Sequence, residues 1–143
     1  MEAATRTPSP IAVQRPQPYA YLLTETDLAD IATLQQAGIS RTQATVLLVL
    51  HRYSKGVKVT SRWIERVADL RQPEVSIAIS ELTEVGMVGI TEDRNLSKGR
   101  PVKVYQVLGD IPGYVRGHIA DRVAEINRAA TEVNAVFARG VPA

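Results

Sequence analysis

The sequence predicts a mainly helical fold carrying one small β-hairpin. Three observations predict it. Apolar residues recur at helical spacing in four segments between Thr24 and Leu82 and again after Gly113. Two short alternating runs, Met87–Thr91 and Pro101–Leu108, flank a polar stretch with one glycine, the pattern of a hairpin. Hydrophobic residues make up 45% of the 143 residues, enough to bury a core.

Residues 1 to 18 hold Pro8, Pro10, Pro16 and Pro18 and read as a flexible proline-rich tail. They have no apolar run and do not resemble a signal peptide. Residues 19 to 109 read as one domain. Thr24 and Asp27 have capping-box spacing, followed by an apolar stripe of Leu28, Ile31, Ala32 and Leu34 that Gly38 ends. Ser40 and Gln43 form a second such box and open a helix from Arg41 to about Tyr53, with Ala44, Leu47, Leu48 and Leu50 facing a core. Val57–Lys58–Val59 alternates and predicts a very short strand. Ser61 is placed as the cap of a short helix from Arg62 to about Ala68, with Trp63, Ile64, Val67 and Ala68 on its apolar face. After the turn Asp69–Leu70–Arg71, Gln72–Pro73–Glu74 opens the next helix. Proline suits its first turn, and Val75, Ala78, Ile79 and Leu82 make its core stripe before Gly86. Residues 92 to 100 (EDRNLSKGR) form the hairpin tip. After Asp110–Ile111–Pro112–Gly113, residues 110 to 143 carry a last helix to about Phe137. Ile119, Val123, Ile126, Ala130, Val133 and Phe137 are spaced as a heptad seam, with Arg122, Glu125, Arg128 and Glu132 on flanking positions.

Composition narrows the function. Absence of cysteine excludes disulfides, thiolate zinc sites and thiol nucleophiles. His51 and His118 are the only histidines and lie far apart, against a histidine-based metal site. His51 reads as half-buried and hydrogen-bonded. No paired carboxylates, nucleophile–base set or phosphate loop stands out, so an enzyme is not expected, nor is a cofactor. Aromatics are only 5%, against a ring-lined sugar site. No stretch approaches the roughly 20 apolar residues of a membrane span, so no membrane partner and a cytoplasmic location are expected. The net charge of +2 decides little until it is divided. Residues 91 to 109 hold four bases against two acids, whereas residues 61 to 90 hold three bases against five acids.

The order helix, short strand, helix, turn, helix, hairpin is that of a winged helix-turn-helix. The run Ser61–Arg62–Trp63–Ile64–Glu65, then Leu70–Arg71–Gln72–Pro73–Glu74–Val75–Ser76, Gly86, Lys98–Gly99–Arg100–Pro101 and Tyr105 resembles winged helix-turn-helix transcriptional regulators of the MarR and TrmB type. In particular, it resembles a group of archaeal predicted regulators. The resemblance spans Gly38 to Leu108, about half of the chain. It implies sequence-selective binding of double-stranded DNA by a homodimer, with residues 73–85 as the recognition helix in the major groove. It implies neither an operator nor a small-molecule effector.

On that helix the residues expected to meet bases are Arg71, Gln72, Glu74, Ser76, Ile77 and Ser80. Arg71 can bond guanine in two places and Gln72 can do so with adenine. Glu74 has two readings, acceptor from a cytosine amino group or helix cap. Glu81 and Glu84 are expected to point away from phosphates. Arg41 and Arg62 start helices and can anchor phosphates. The hairpin supplies Arg94, Lys98, Arg100 and Lys103, and Gly99 lets its backbone turn sharply. The heptad residues are expected to pack across a two-fold axis, the alternative being the Leu28–Leu34 stripe of the same chain. A winged-helix module binding a basic protein partner through its acidic helix face is the competing function.

Overall fold

The computed structural model describes residues 23–96 and 98–141; the proline-rich stretch 1–18 lies outside them. Its elements are α1 (Glu25–Gln35), α2 (Arg41–Tyr53), α3 (Ser61–Ala68), α4 (Gln72–Glu84), β1 (Val88–Asp93), β2 (Val102–Val107) and α5 (Ile111–Ala138). Five helices and a two-stranded antiparallel hairpin are compatible with a winged helix.

Helix α1 opens on a complete capping box. The Thr24 hydroxyl accepts from the Asp27 amide at 3.0 Å, and the Asp27 carboxylate accepts from the Thr24 amide at 2.9 Å. The expected stripe is only partly buried. Ile31 is inside and Leu34 half-buried, but Leu28 and Ala32 are exposed. The residue that joins Ile31 inside is polar. Asp27 accepts from Arg52 and from the Tyr53 hydroxyl of α2, both at 2.5 Å, while Arg52 also reaches Asp30.

Helix α2 is the central element. All eight residues from Gln43 to Leu50 are buried, because α1, α3 and α4 all pack on it. Ser40 caps it by accepting from the Gln43 amide at 3.2 Å. The second half of the expected box is missing, since the Gln43 side chain turns instead to Glu81 of α4. Between α1 and α2 the chain reverses at Gly38, with φ of +90°. A Cβ there would stand 2.8 Å from the Arg122 guanidinium, which α5 lays over this turn. Gly38→Ala is therefore expected to cost about 1–2 kcal/mol through strain in the left-handed region and displacement of Arg122. A urea midpoint unchanged from wild type would contradict this.

The predicted strand at Val57–Val59 reduces to one bridge, in which the Tyr105 amide donates to the Val59 carbonyl at 2.8 Å. Helix α3 is capped by Thr60, not Ser61. The Thr60 hydroxyl accepts from the Trp63 amide at 3.1 Å, and Ser61, already helical, donates to Glu65 at 3.0 Å. Asp69 closes α3 with φ of +54°, a conformation rare for any residue but glycine, which lets Leu70 and Arg71 lead straight into α4. Val75, Ala78, Ile79 and Leu82 are the buried residues of α4, as its periodicity predicts. Gly86, φ +80°, ends it, and the Met87 amide donates back to the Leu82 carbonyl at 2.9 Å.

The hairpin pairs Val88 with Val107 through Asp93 with Val102. Strand β1 runs two residues further toward the tip than the predicted Met87–Thr91, whereas β2 starts one residue later than the predicted Pro101. Helix α5 begins at Ile111, two residues before Gly113, because a proline in the first turn has no helical donor to lose. Ile111 and Val115 enter the common core with Leu47, Ile64, Val67 and Leu82. Beyond Val115, His118 is half-buried and every other described residue of α5 is exposed.

Candidate nucleic-acid interface

One open groove of about 1480 Å³ runs between α3, α4 and the hairpin. Local sequence explains its shape. Helix α4 turns its four apolar residues inward, so its polar residues Gln72, Ser76 and Ser80 form one wall. Helix α3 buries Ile64, Val67 and Ala68, which leaves Arg62 and Arg66 at the rim. Tyr105 and Ile90, paired across the hairpin, make the opposite wall with Lys103 beyond them. Burial of Tyr105 pushes its hydroxyl above the usual tyrosine range, as expected for a ring packed against the core at the base of the hairpin.

Of the residues expected to meet DNA, the groove brings together Arg62, Gln72, Ser76, Ser80 and Lys103. The others flank it. Arg71 is the N-cap residue of α4 and exposed; Ile77 is 62% exposed, an apolar side chain held in solvent one residue beyond Ser76. Arg94, Lys98, Gly99 and Arg100 lie exposed on the hairpin tip, where Gly99 takes φ of +69°. Arg41 is exposed at the first turn of α2 and is not part of the groove lining. Glu74 takes its capping reading: its carboxylate accepts from the Arg71 amide at 2.9 Å.

Glu81 and Glu84 do not turn away from this surface; both line the groove with Glu65. Glu81 is held by the amide of Gln43 at 3.0 Å, and burial together with Glu81 pushes the nearby Tyr114 hydroxyl upward. His51 is exposed rather than half-buried. Lys58, which sequence reasoning treated only as a strand residue, lines the groove and pairs with Asp93 at 2.5 Å. The lysine contact, with the Asn95 amide, holds the Asp93 carboxyl below its usual range. It also offsets one of the two acids at the root of the basic tip. Nothing local in VKV marks this pair, which lies 35 residues apart in the chain.

Four cations, Lys58, Arg62, Arg66 and Lys103, thus share the groove with three carboxylates, Glu65, Glu81 and Glu84. With Lys58 already paired to Asp93, the groove is close to neutral, its cations lying on α3 and the hairpin while α4 presents short polar side chains. Among the described residues no cluster of three or more His, Cys, Asp or Glu stands close enough to hold a metal ion, and no helix is long and apolar enough to cross a membrane. Comparison with known proteins gives no match: no family model, curated protein or solved structure is significantly similar to the chain.

Proposed function

We propose that the chain is a winged helix-turn-helix regulator of the MarR and TrmB type that binds double-stranded DNA sequence-selectively as a homodimer. Helix α4 enters the major groove, and the hairpin tip acts as the wing on the adjacent groove or backbone. The observation that carries the reading is the shared groove. The polar face of α4 and the cations Arg62, Arg66, Lys58 and Lys103 border one continuous surface. Small Ser76 and Ser80 side chains let the helix approach base edges closely, and Arg71 and Gln72 at its start supply longer donors. Phosphates then fall to Arg41 and Arg62 and to Arg94, Lys98, Arg100 and Lys103. The heptad residues of α5 join the two copies.

The competing reading, a module for a basic protein partner, draws on Glu65, Glu81 and Glu84 in the same groove. The two differ in their response to base sequence. Selection of bound sites from random duplex DNA is expected to give a motif with two related half-sites. Arg71→Ala is expected to relax preference at one position per half-site, by about 1–3 kcal/mol of discrimination, with little change in binding to unrelated DNA. Enrichment of no motif, with Arg71→Ala indistinguishable from wild type, would favour the protein partner.

A further inference from the structure

The apolar stripe that seats α5 in the core does not stop where the core stops. Ile111 and Val115 are buried, and the same side of the helix continues as Ile119, Val123, Ile126, Ala130, Val133 and Phe137. Those six are exposed, Ile126 at 62% and Phe137 at 79%. The Leu28–Leu34 stripe of the same chain does not cover them, since Leu28 is itself exposed. At about 100° per residue, the flanks of this seam are Arg122, Ala129 and Val136 on one side and Ala120, Asn127 and Asn134 on the other. Glu125, Arg128 and Glu132, read from sequence as flanking, fall instead on the far side with Asp121 and Arg139. Five of the six flanking positions are thus uncharged, and the sixth, Arg122, is laid over the Gly38 turn of its own head.

We propose that the occupant of this seam is the α5 helix of a second copy, running antiparallel, with the two-fold axis at the level of Arg128. This rests on the homodimer reading above and adds its orientation and register. The spacing of the six seam residues, 4-3-4-3-4, is the same read in either direction. Reversal about Arg128 therefore sets each seam residue opposite another, which is the self-complementarity a two-fold interface requires. The volumes agree with that reversal. Phe137 meets Ile119, Ile126 meets Ala130 and Val123 meets Val133, so a large side chain faces a smaller one or two medium ones meet. Parallel pairing would instead stack Phe137 on Phe137 and leave Ala130 facing Ala130, a crowded layer and a void in one seam. At the axis, Asn127 meets Asn127 on one flank and Ala129 meets Ala129 on the other. The amides can bond each other, and no like charges are opposed.

The register also fixes the distance between heads. Val115, the last residue of α5 buried in the head, precedes Arg128 by 13 residues. Twice that, at about 1.5 Å per residue, sets the two attachment points about 39 Å apart along the helix pair. Half-sites on one face of a duplex lie about 34–36 Å apart.

The chain has no cysteine, so single thiols report the register without background. Ile119→Cys, Phe137→Cys and Ala129→Cys all lie on the exposed part of α5 and leave the core of the head untouched. Light scattering of the wild-type protein is expected to give the mass of a dimer. With a short bis-maleimide, Ile119→Cys and Phe137→Cys refolded together are expected to cross-link to each other, and Ile119→Cys alone is not expected to cross-link. Ala129→Cys, which keeps the seam intact, is expected to cross-link to itself. Self-linkage of Ile119→Cys, with none for Ala129→Cys, would overturn the antiparallel register while leaving the dimer. A monomeric or tetrameric wild-type mass would overturn both. DNA affinity of the head is measured separately and stands or falls apart from these results.

Discussion

Asp27→Asn is expected to destabilise the protein by about 2 kcal/mol, the cost of neutralising a buried carboxylate that accepts hydrogen bonds from Arg52, Tyr53 and the Thr24 amide. The substitution is nearly isosteric, so it isolates charge. Asp27 is 2% exposed and closes the α1 cap while accepting from Arg52 and Tyr53 of α2. Its loss leaves the Arg52 guanidinium with Asp30 alone and weakens the only polar tie described between α1 and α2. Burial acts to raise the Asp27 carboxyl, but hydrogen bonds from Tyr53, the Thr24 amide and Arg52 outweigh it and hold the group below its usual range. A depressed carboxyl contributes stability that is complete above its unfolded value, about 4, and is lost as pH falls through the folded value. The gap between wild type and Asp27→Asn in urea unfolding should therefore be full at pH 7 and close below pH 4. Tyr53 works at the other end. Burial, then Asp27, raises its hydroxyl to about 12, so its contribution is complete below about 10 and fades as pH rises toward 12. A gap of equal size at pH 7 and pH 3 would contradict the role given to Asp27.

The second large effect is on binding. Lys98, Arg100 and Lys103 are exposed on the hairpin, and replacing all three by alanine leaves every buried residue in place. If each neutralises one phosphate, the slope of log affinity against log salt should fall by about 0.9 per residue, which is nearly 3 per head and about 5 for the dimer. Taking equal affinities near 1 M salt, that is a loss of roughly five-hundredfold per head at 0.1 M, shared by specific and unrelated DNA alike. The same variant should keep its thermal midpoint within about 2 °C of wild type, since exposed substitutions cost little. A triple variant with the wild-type salt slope would remove the hairpin from the interface.

Much of the helical framework was legible in the sequence because its periodicity is local. The α4 stripe of Val75, Ala78, Ile79 and Leu82 is buried as the spacing predicts, and Gly38, Gly86 and Gly99 all take positive φ. What was not legible depends on contacts distant in the chain. Asp27 reads as a cap from Thr24 alone; its burial comes from Arg52 and Tyr53, 25 and 26 residues on. Gln43 reads as half of a capping box, yet its amide goes to Glu81, 38 residues away. Thr60 and Ser61 are both good caps, and only the backbone turn decides for Thr60. Of the candidate site, the groove gathers Arg62, Gln72, Ser76, Ser80 and Lys103, while Lys58 joins it unforeseen and Glu81 and Glu84, expected to point away, line it. Charges on a short helix give no sign of which neighbour they will face until the hairpin folds beside them.

Binding of duplex DNA through α4 and the hairpin is open to direct measurement. Fluorescence anisotropy of a labelled random-sequence duplex, titrated with the protein from 20 to 300 mM salt, tests it most directly. Binding at low salt is expected to weaken linearly in log–log form, with a slope matching several phosphate contacts per dimer. Absence of affinity at the lowest salt, from protein that is folded and of the expected mass, would contradict it.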